Sequence, residues 1–262
     1  MVQLSVNVNK VATLRNSRGG VEPSVLQAVG VCLEAGAAGI TVHHRADERH
    51  IRRSDVIEIA AFLAAFRSTH GHAPEFNIEG DPRSALIDLV LDVRPTQCTL
   101  VPVVAGEITS QAGWPPSTER VWLRSIVSRL RGAGIRVSMF VDADEAAVRW
   151  ASDLGADRIE LYTEPFARAF ERGHGESSLQ TYARAAECAH ELGLGVNAGH
   201  DLDLYNLPLF RTLPHLAEVS IGHALMSHAL WVGLGRAVGD YLAVLGPGPA
   251  ARRSAGGGMI ES

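Results

Sequence analysis

Three observations predict an α/β fold consisting of a single closed (β/α)8 barrel of the TIM type. Eight short strand-like segments recur along the chain, and helical patterns separate consecutive ones, the mark of parallel βαβ units. A length of 262 residues suits one such barrel, which typically takes about 250. No Gly-x-Gly-x-x-Gly turn follows the first strand, which disfavours an open doubly wound sheet. One catalytic domain is expected over residues 1–245, with a tail at 246–262, rich in Gly, Pro and Ala, that has no core-forming pattern and is expected to be disordered.

The first strand is read from Leu4 to Asn9, where Val6 and Val8 alternate with Asn7 and Asn9. A loop from Lys10 to Gly20 follows, carrying Arg15 and Arg18, and then a helix from Pro23 to about Gly36. The second strand runs Gly39-Ile40-Thr41-Val42-His43 and ends in a burst of histidines and arginines. Ser54 is the expected N-cap of the next helix, to about Phe66. Strands are then expected at Phe76–Glu79, Gln97–Val101, Val137–Asp142, Arg158–Tyr162, Gly195–Ala198 and Glu218–Ile221. Helices fall between them at about 81–92, 117–133, 144–154, 177–192 and 224–245, with the shortest at about 207–216.

Composition narrows the function. Apolar residues make up 46% of the chain, ample for a large core. A net charge of −5 and a pI near 6.1 argue against a general nucleic-acid binder, so any anion site must be local. Cys32, Cys98 and Cys188 are odd in number, far apart and in apolar contexts. They read as free core thiols in a reducing compartment. The N-terminal residues enter a strand pattern directly, with no basic leader and no long apolar stretch, so a cytoplasmic protein without a membrane partner is expected.

Barrel active sites lie at the carboxyl ends of the strands. Those ends hold Asn7, Asn9, His43, Glu79, Asp142, Glu160, His200 and His223. Each alone has an ordinary structural explanation, but residues from so many strands must converge on one mouth. Imidazoles and carboxylates held close there tune one another's proton affinity and divide acid and base roles. After strands seven and eight, the segments Asn197–Asp201 and Ile221–Ala224 suit phosphate binding, with Gly222 as a point of close approach. Lys10, Arg18, Arg45 and His50 mark a second anion locus, so two phosphorylated small molecules, or one bisphosphate, are the expected ligands. No metal is expected: there is no His-Glu-x-x-His helix, and the adjacent His43 and His44 of a strand point apart.

With these residues in hand, the chain resembles the pyridoxine 5′-phosphate synthase family from about Leu4 to Leu245. The matching pieces are Val6–Gly19, Gly39–Ile51, Asn77-Ile78-Glu79, Leu100-Val101-Pro102, Asp142–Glu145, Val196–His200 and Ile221–Ala224. They fall in order on successive strand ends. The resemblance implies a (β/α)8 barrel assembled as a homo-octamer. It implies condensation of 1-deoxy-D-xylulose 5-phosphate with 3-amino-2-oxopropyl phosphate to pyridoxine 5′-phosphate, phosphate and water, with no metal and no organic cofactor. His43 and Glu79 would accept protons, His200 would donate one, and Glu160 would stabilise transition-state charge. Asn7 and Arg18 would hold the amino-ketone phosphate, and Arg45, His50 and Thr109 the sugar phosphate. Gly222, His223 and the position of Asp201 would complete the contacts.

Three departures from the family pattern fall on the rim. Asn9-Lys10 stands where Asp-His is usual, Val103-Val104-Ala105 where Glu-Lys-Arg is usual, and Asp201 where glycine is usual. The acid/base residues are all present, which favours an active enzyme. The alternatives are a non-catalytic phosphate-binding barrel and a different barrel lyase, such as a metal-assisted one. Gly106, Thr109, Gly113 and Pro115-Pro116 mark the strand-four loop as a candidate lid.

Overall fold

All eight expected strands form. The computed structural model describes residues 1–71, 73–102 and 110–246. The strands are β1 (Gln3–Asn7), β2 (Gly39–His43), β3 (Glu75–Gly80), β4 (Gln97–Leu100), β5 (Arg136–Val141), β6 (Arg158–Tyr162), β7 (Gly195–Gly199) and β8 (Leu216–Ile221). Each pairs in parallel with the next, and β1 pairs with β8, so the sheet closes into a barrel. Among the described residues the helices are α1 (Asn9–Arg18), α2 (Val25–Glu34), α3 (Arg53–His70), α4 (Ser84–Val93), α5 (Arg120–Gly132) and α6 (Glu145–Asp153), then α7 (Glu164–Glu171), α8 (Gly175–Glu191), α9 (Leu207–Phe210), α10 (His223–Val232) and α11 (Leu234–Leu245).

The outward faces of the strands carry the apolar core. Val6, Ile40, Val42, Ile78, Cys98, Leu100, Met139 and Leu161 are fully buried against the helices. Each such side chain contributes roughly 1.5–3 kcal/mol on burial. Barrel interiors usually hold branched apolar side chains. Here many inward positions are polar instead, and most of these are hydrogen-bonded, although Phe140 is apolar and Ser138 Oγ is buried without a partner among the described residues. The Ser5 and Thr41 hydroxyls meet at 2.7 Å, and Thr99 Oγ1 donates to Asn77 Oδ1 at 3.0 Å. Toward the amino ends of the strands, Arg136 binds Glu75 and Gln97, and Arg158 Nη1 donates to Asn197 Oδ1 at 2.8 Å. Buried polar groups are tolerable when paired in this way.

Four expectations are corrected. The first strand stops at Asn7 rather than Asn9, because Asn7 Oδ1 accepts the Asn9 N–H at 3.0 Å and turns the chain into α1. Lys10 to Arg18 is therefore helix, not loop. It has no apolar stripe, since its buried residues are only Ala12 and Arg15. Arg15 anchors it instead, donating through both Nη atoms to Asp55 of α3 at 2.5 and 2.9 Å. Ser54 is not the cap of α3: Arg52 takes that position, its N–H donating to Asp55 Oδ2 at 2.8 Å. The stretch at 224–245 is two helices, divided at Gly233 with φ of 87°. Helix α7 was absent from the sequence reading, being a single short element closed by Gly173. The expectation of a disordered tail falls, from residue 247 onward, outside the described residues, as do Gly106 and Thr109 of the candidate lid.

Candidate active site

The carboxyl ends of the strands surround a cavity of about 980 Å³. Parallel register places His43 of β2 beside Glu79 of β3, and Phe140 of β5 beside Glu160 of β6. His43, Glu79, Glu160 and His200, the expected acid/base group, all line it. So do Asn7, Asn9, Lys10, Arg45, His50 and Asp201, with Gly222 and His223 opening α10 at its edge. Asn9 also ties the start of α1 to the end of β2, since the His43 N–H donates to its Oδ1 at 2.9 Å.

Burial sets the protonation of the centre. His43 is pushed down to about 3 by loss of water, aided by the nearby His50, Arg45, Arg83 and His44 charges. Glu79 is pushed up to about 8, first by burial and then by Glu218. Glu160 is raised well above the ordinary carboxyl range by burial, with Glu79 adding repulsion. These shifts favour a neutral imidazole and disfavour ionisation of the two carboxyls. His43 Nδ1 and Glu79 Oε2 lie 3.9 Å apart, too far for a hydrogen bond. Among the described residues His43 Nε2 is buried without a hydrogen-bond partner. A ring nitrogen left bare in this way, beside a carboxyl raised by burial, is placed to exchange a proton with a bound molecule.

Glu160 and the turn after β7 are packed tightly. A Cβ at Gly199 would lie 2.5 Å from Glu160 Oε1, so only glycine lets the carboxyl sit there. Beyond it, His200 Nδ1 lies 2.9 Å from Asp201 Oδ2, and this contact holds the Asp201 carboxyl below its usual range. The Tyr162 ring stands edge-on to His200, centroids 5.1 Å apart.

Cations flank this centre. Lys10, Arg45 and His50 lie on one side, although burial and the Arg45 charge push His50 down to about 4, so it offers hydrogen bonds rather than charge. His223 and the first turn of α10 lie at the β8 edge, where free N–H groups favour an anion. Arg168, Arg172 and His174, from α7 and the turn after it, add a basic rim that sequence reading missed along with its helix. Two arginines four residues apart were the available signal.

Not every expected residue arrives. Arg18 is exposed near the end of α1 and does not line the cavity of its own chain. Asp142 is turned away, its Oδ1 accepting the Gly113 N–H at 2.9 Å. Thr109 lies outside the described residues. His44 points away from His43, as adjacent strand residues must, with its Nδ1 2.8 Å from Arg83 Nη2. Among the described residues, no group of three or more His, Cys, Asp or Glu is arranged to hold a metal ion, and no helix is long and apolar enough to cross a membrane.

Comparison with known proteins agrees with this geometry. Solved structures resemble the fold at low identity. Thiamine phosphate pyrophosphorylase from Pyrococcus furiosus superposes with a TM-score of 0.61 at 14% identity, covering 93% of this chain and 95% of its own. A 3-hexulose-6-phosphate synthase does so at 0.54 and 13%, covering 94% and 100%. Sequence relatives are much nearer. A pyridoxine 5′-phosphate synthase of Christiangramia forsetii is 49% identical over 246 residues, 94% of this chain and all of the relative. One from Leptospira biflexa is 50% identical over 256 residues, 95% of this chain and 98% of the relative. The family model described as "Pyridoxal phosphate biosynthesis protein PdxJ" matches residues 4–246, nearly the whole barrel, and the chain belongs to that family.

Proposed function

We propose that the protein condenses 1-deoxy-D-xylulose 5-phosphate with 3-amino-2-oxopropyl phosphate to give pyridoxine 5′-phosphate, inorganic phosphate and water. It acts by metal-independent acid/base catalysis without an organic cofactor. The observation that carries this reading is the buried, unpartnered Nε2 of His43, set beside a carboxyl that keeps its proton and between two basic edges. The family and the names of its relatives support the same reaction.

Joining an amine to a ketone, expelling phosphate and water, and closing a ring each move a proton at a different atom. Several weakly basic groups around one cavity suit such a sequence better than one strong nucleophile. Neutral His43 accepts the first proton through Nε2. Glu79 accepts only after releasing its own proton to solvent through the cavity it lines, which an arriving ammonium group favours by stabilising the carboxylate. Protonated Glu160 offers a hydrogen bond to a developing oxyanion, and His200 delivers a proton to a leaving oxygen. Lys10, Arg45 and His50, with Thr109, hold the sugar phosphate. Asn7, Gly222 and His223 hold the amino-ketone phosphate. The single chain supplies no support for Arg18 in that role. The same reading takes the protein as a cytoplasmic homo-octamer with no nucleic-acid or membrane partner, and light scattering on the purified protein tests the assembly.

The direct test is turnover of both substrates in chelator-treated buffer, following the pyridoxine product by absorbance and released phosphate by assay. His43→Ala, Glu79→Gln and His200→Ala run beside the parent. Product from the parent and large losses in all three establish the reaction. Phosphate binding without product would instead make this a binding barrel.

A further inference from the structure

The turn that carries His200 holds two consecutive residues in the left-handed region, with φ of 90° at His200 and 57° at Asp201. A side chain there costs about 1 kcal/mol or more relative to glycine. The backbone does not need the Asp201 side chain to make the turn. Thr163 donates to the Gly199 carbonyl with its N–H at 3.1 Å and its hydroxyl at 2.7 Å. Asn206 donates through Nδ2 to the Asp201 carbonyl at 3.0 Å. Thr163 and Asn206 are both buried, so main-chain acceptors pin the turn from both sides.

The carboxylate of Asp201 turns back on the imidazole, Oδ2 lying 2.9 Å from Nδ1. An ionised carboxylate only accepts, so Nδ1 must carry the hydrogen. Nε2 is then the ring atom left for a ligand. The edge-on Tyr162 ring limits rotation from another side. When Nε2 bears the proton to be delivered, the ring is cationic and the adjacent carboxylate balances that charge.

We propose that Asp201 is a positioning residue whose carboxylate holds the His200 ring in the Nδ1-protonated form and presents Nε2 to the substrate, rather than a contact for phosphate. This rests on His200 being the proton donor. Asp201 is exposed at the rim, so its hold on the ring is moderate and its effect on turnover is correspondingly limited.

The test compares the full-length parent with Asp201→Gly and Asp201→Asn. Glycine suits a φ of 57° and removes the acceptor. Asparagine tolerates the same backbone and accepts through its amide oxygen. Nitrogen-15 NMR of His200, with inorganic phosphate bound, reads the tautomer without reference to activity. The parent should show hydrogen on Nδ1. Asp201→Gly should show a mixture of tautomers, with kcat down about tenfold and KM within about twofold. Asp201→Asn should restore the tautomer and most of kcat, and neither variant should melt below the parent. An unchanged tautomer in Asp201→Gly, or a raised KM with unchanged kcat, overturns the proposal and makes Asp201 a bystander or a substrate contact. A shifted tautomer with unchanged kcat upholds the hold on the ring and removes His200 from the donor role.

Discussion

Replacing Glu79 by glutamine should flatten the pH dependence of stability between about pH 5 and pH 8. Burial and Glu218 raise Glu79 from 4.5 to about 8 in the folded protein. In the unfolded chain the same carboxyl ionises near its ordinary value. Over the interval between those values the native state binds one more proton than the unfolded state, so stability falls as pH rises. The slope is at most about 1.4 kcal/mol per pH unit, on the order of 5 kcal/mol across the whole interval. Glutamine keeps the shape and removes the proton. His43, pushed down to about 3, works in the opposite sense, losing stability on acidification below 6.5, but it is common to both proteins. Glu218, also raised to about 8, is common as well. The difference between parent and variant therefore reports Glu79 together with the relief its loss gives to Glu160 and Glu218, which partly offsets it. Urea unfolding followed by tryptophan fluorescence, at fixed protein concentration and stepped pH, supplies that difference. It should grow in favour of Glu79→Gln toward the alkaline end. Parallel curves would mean that Glu79 is already ionised in the folded protein. The division of roles between a neutral imidazole and a proton-holding carboxyl would then fail.

Other expectations follow from the same geometry. His43→Ala should lower kcat by at least about 100-fold, while substrate-phosphate affinity measured by calorimetry changes little. Gly199→Ala should displace the Glu160 carboxyl, because the new Cβ would lie 2.5 Å from Oε1. A stability loss of about 1–3 kcal/mol and a fall in kcat are expected, and an unchanged enzyme would show that the Glu160 position is soft. Asp55→Asn should leave the buried Arg15 guanidinium without its charge partner, costing about 3–5 kcal/mol in denaturant unfolding. A loss no greater than that of a surface charge change would show that α1 is anchored by something else.

The strands and most of the acid/base group were readable because a barrel strand is a local pattern. Period-two alternation separates the face that packs on helices from the face that lines the mouth, and it needs no knowledge of distant residues. His43, Glu79 and Glu160 declared themselves in that way. Helix α1 did not, for a related reason, and α7, which does bury Phe166 and Ala167, is too short to stand out beside α8. Periodicity reports only apolar burial, and α1 is held by the Arg15–Asp55 ion pair rather than by a stripe. Lys10 to Arg18 therefore looked like loop, and Arg168 and Arg172 were lost with α7.

Sequence alone was sufficient for the barrel, the family and those mouth residues that stand at strand ends, such as His43, Glu79 and Glu160, but not for the rim that α7 supplies. It was not sufficient for protonation. Both His43 and Glu79 read as proton acceptors, yet the fold puts Glu79 within reach of Glu218 and Glu160 in a buried interior. Packing those carboxyls together away from water makes ionising them costly, which raises the proton affinity of Glu79. Asp201 read only as a departure from glycine at a substrate contact, and the turn after β7 aims its carboxylate at His200 Nδ1. Charge state and orientation depend on which groups meet in space and how little water is left between them, and only the closed barrel decides that.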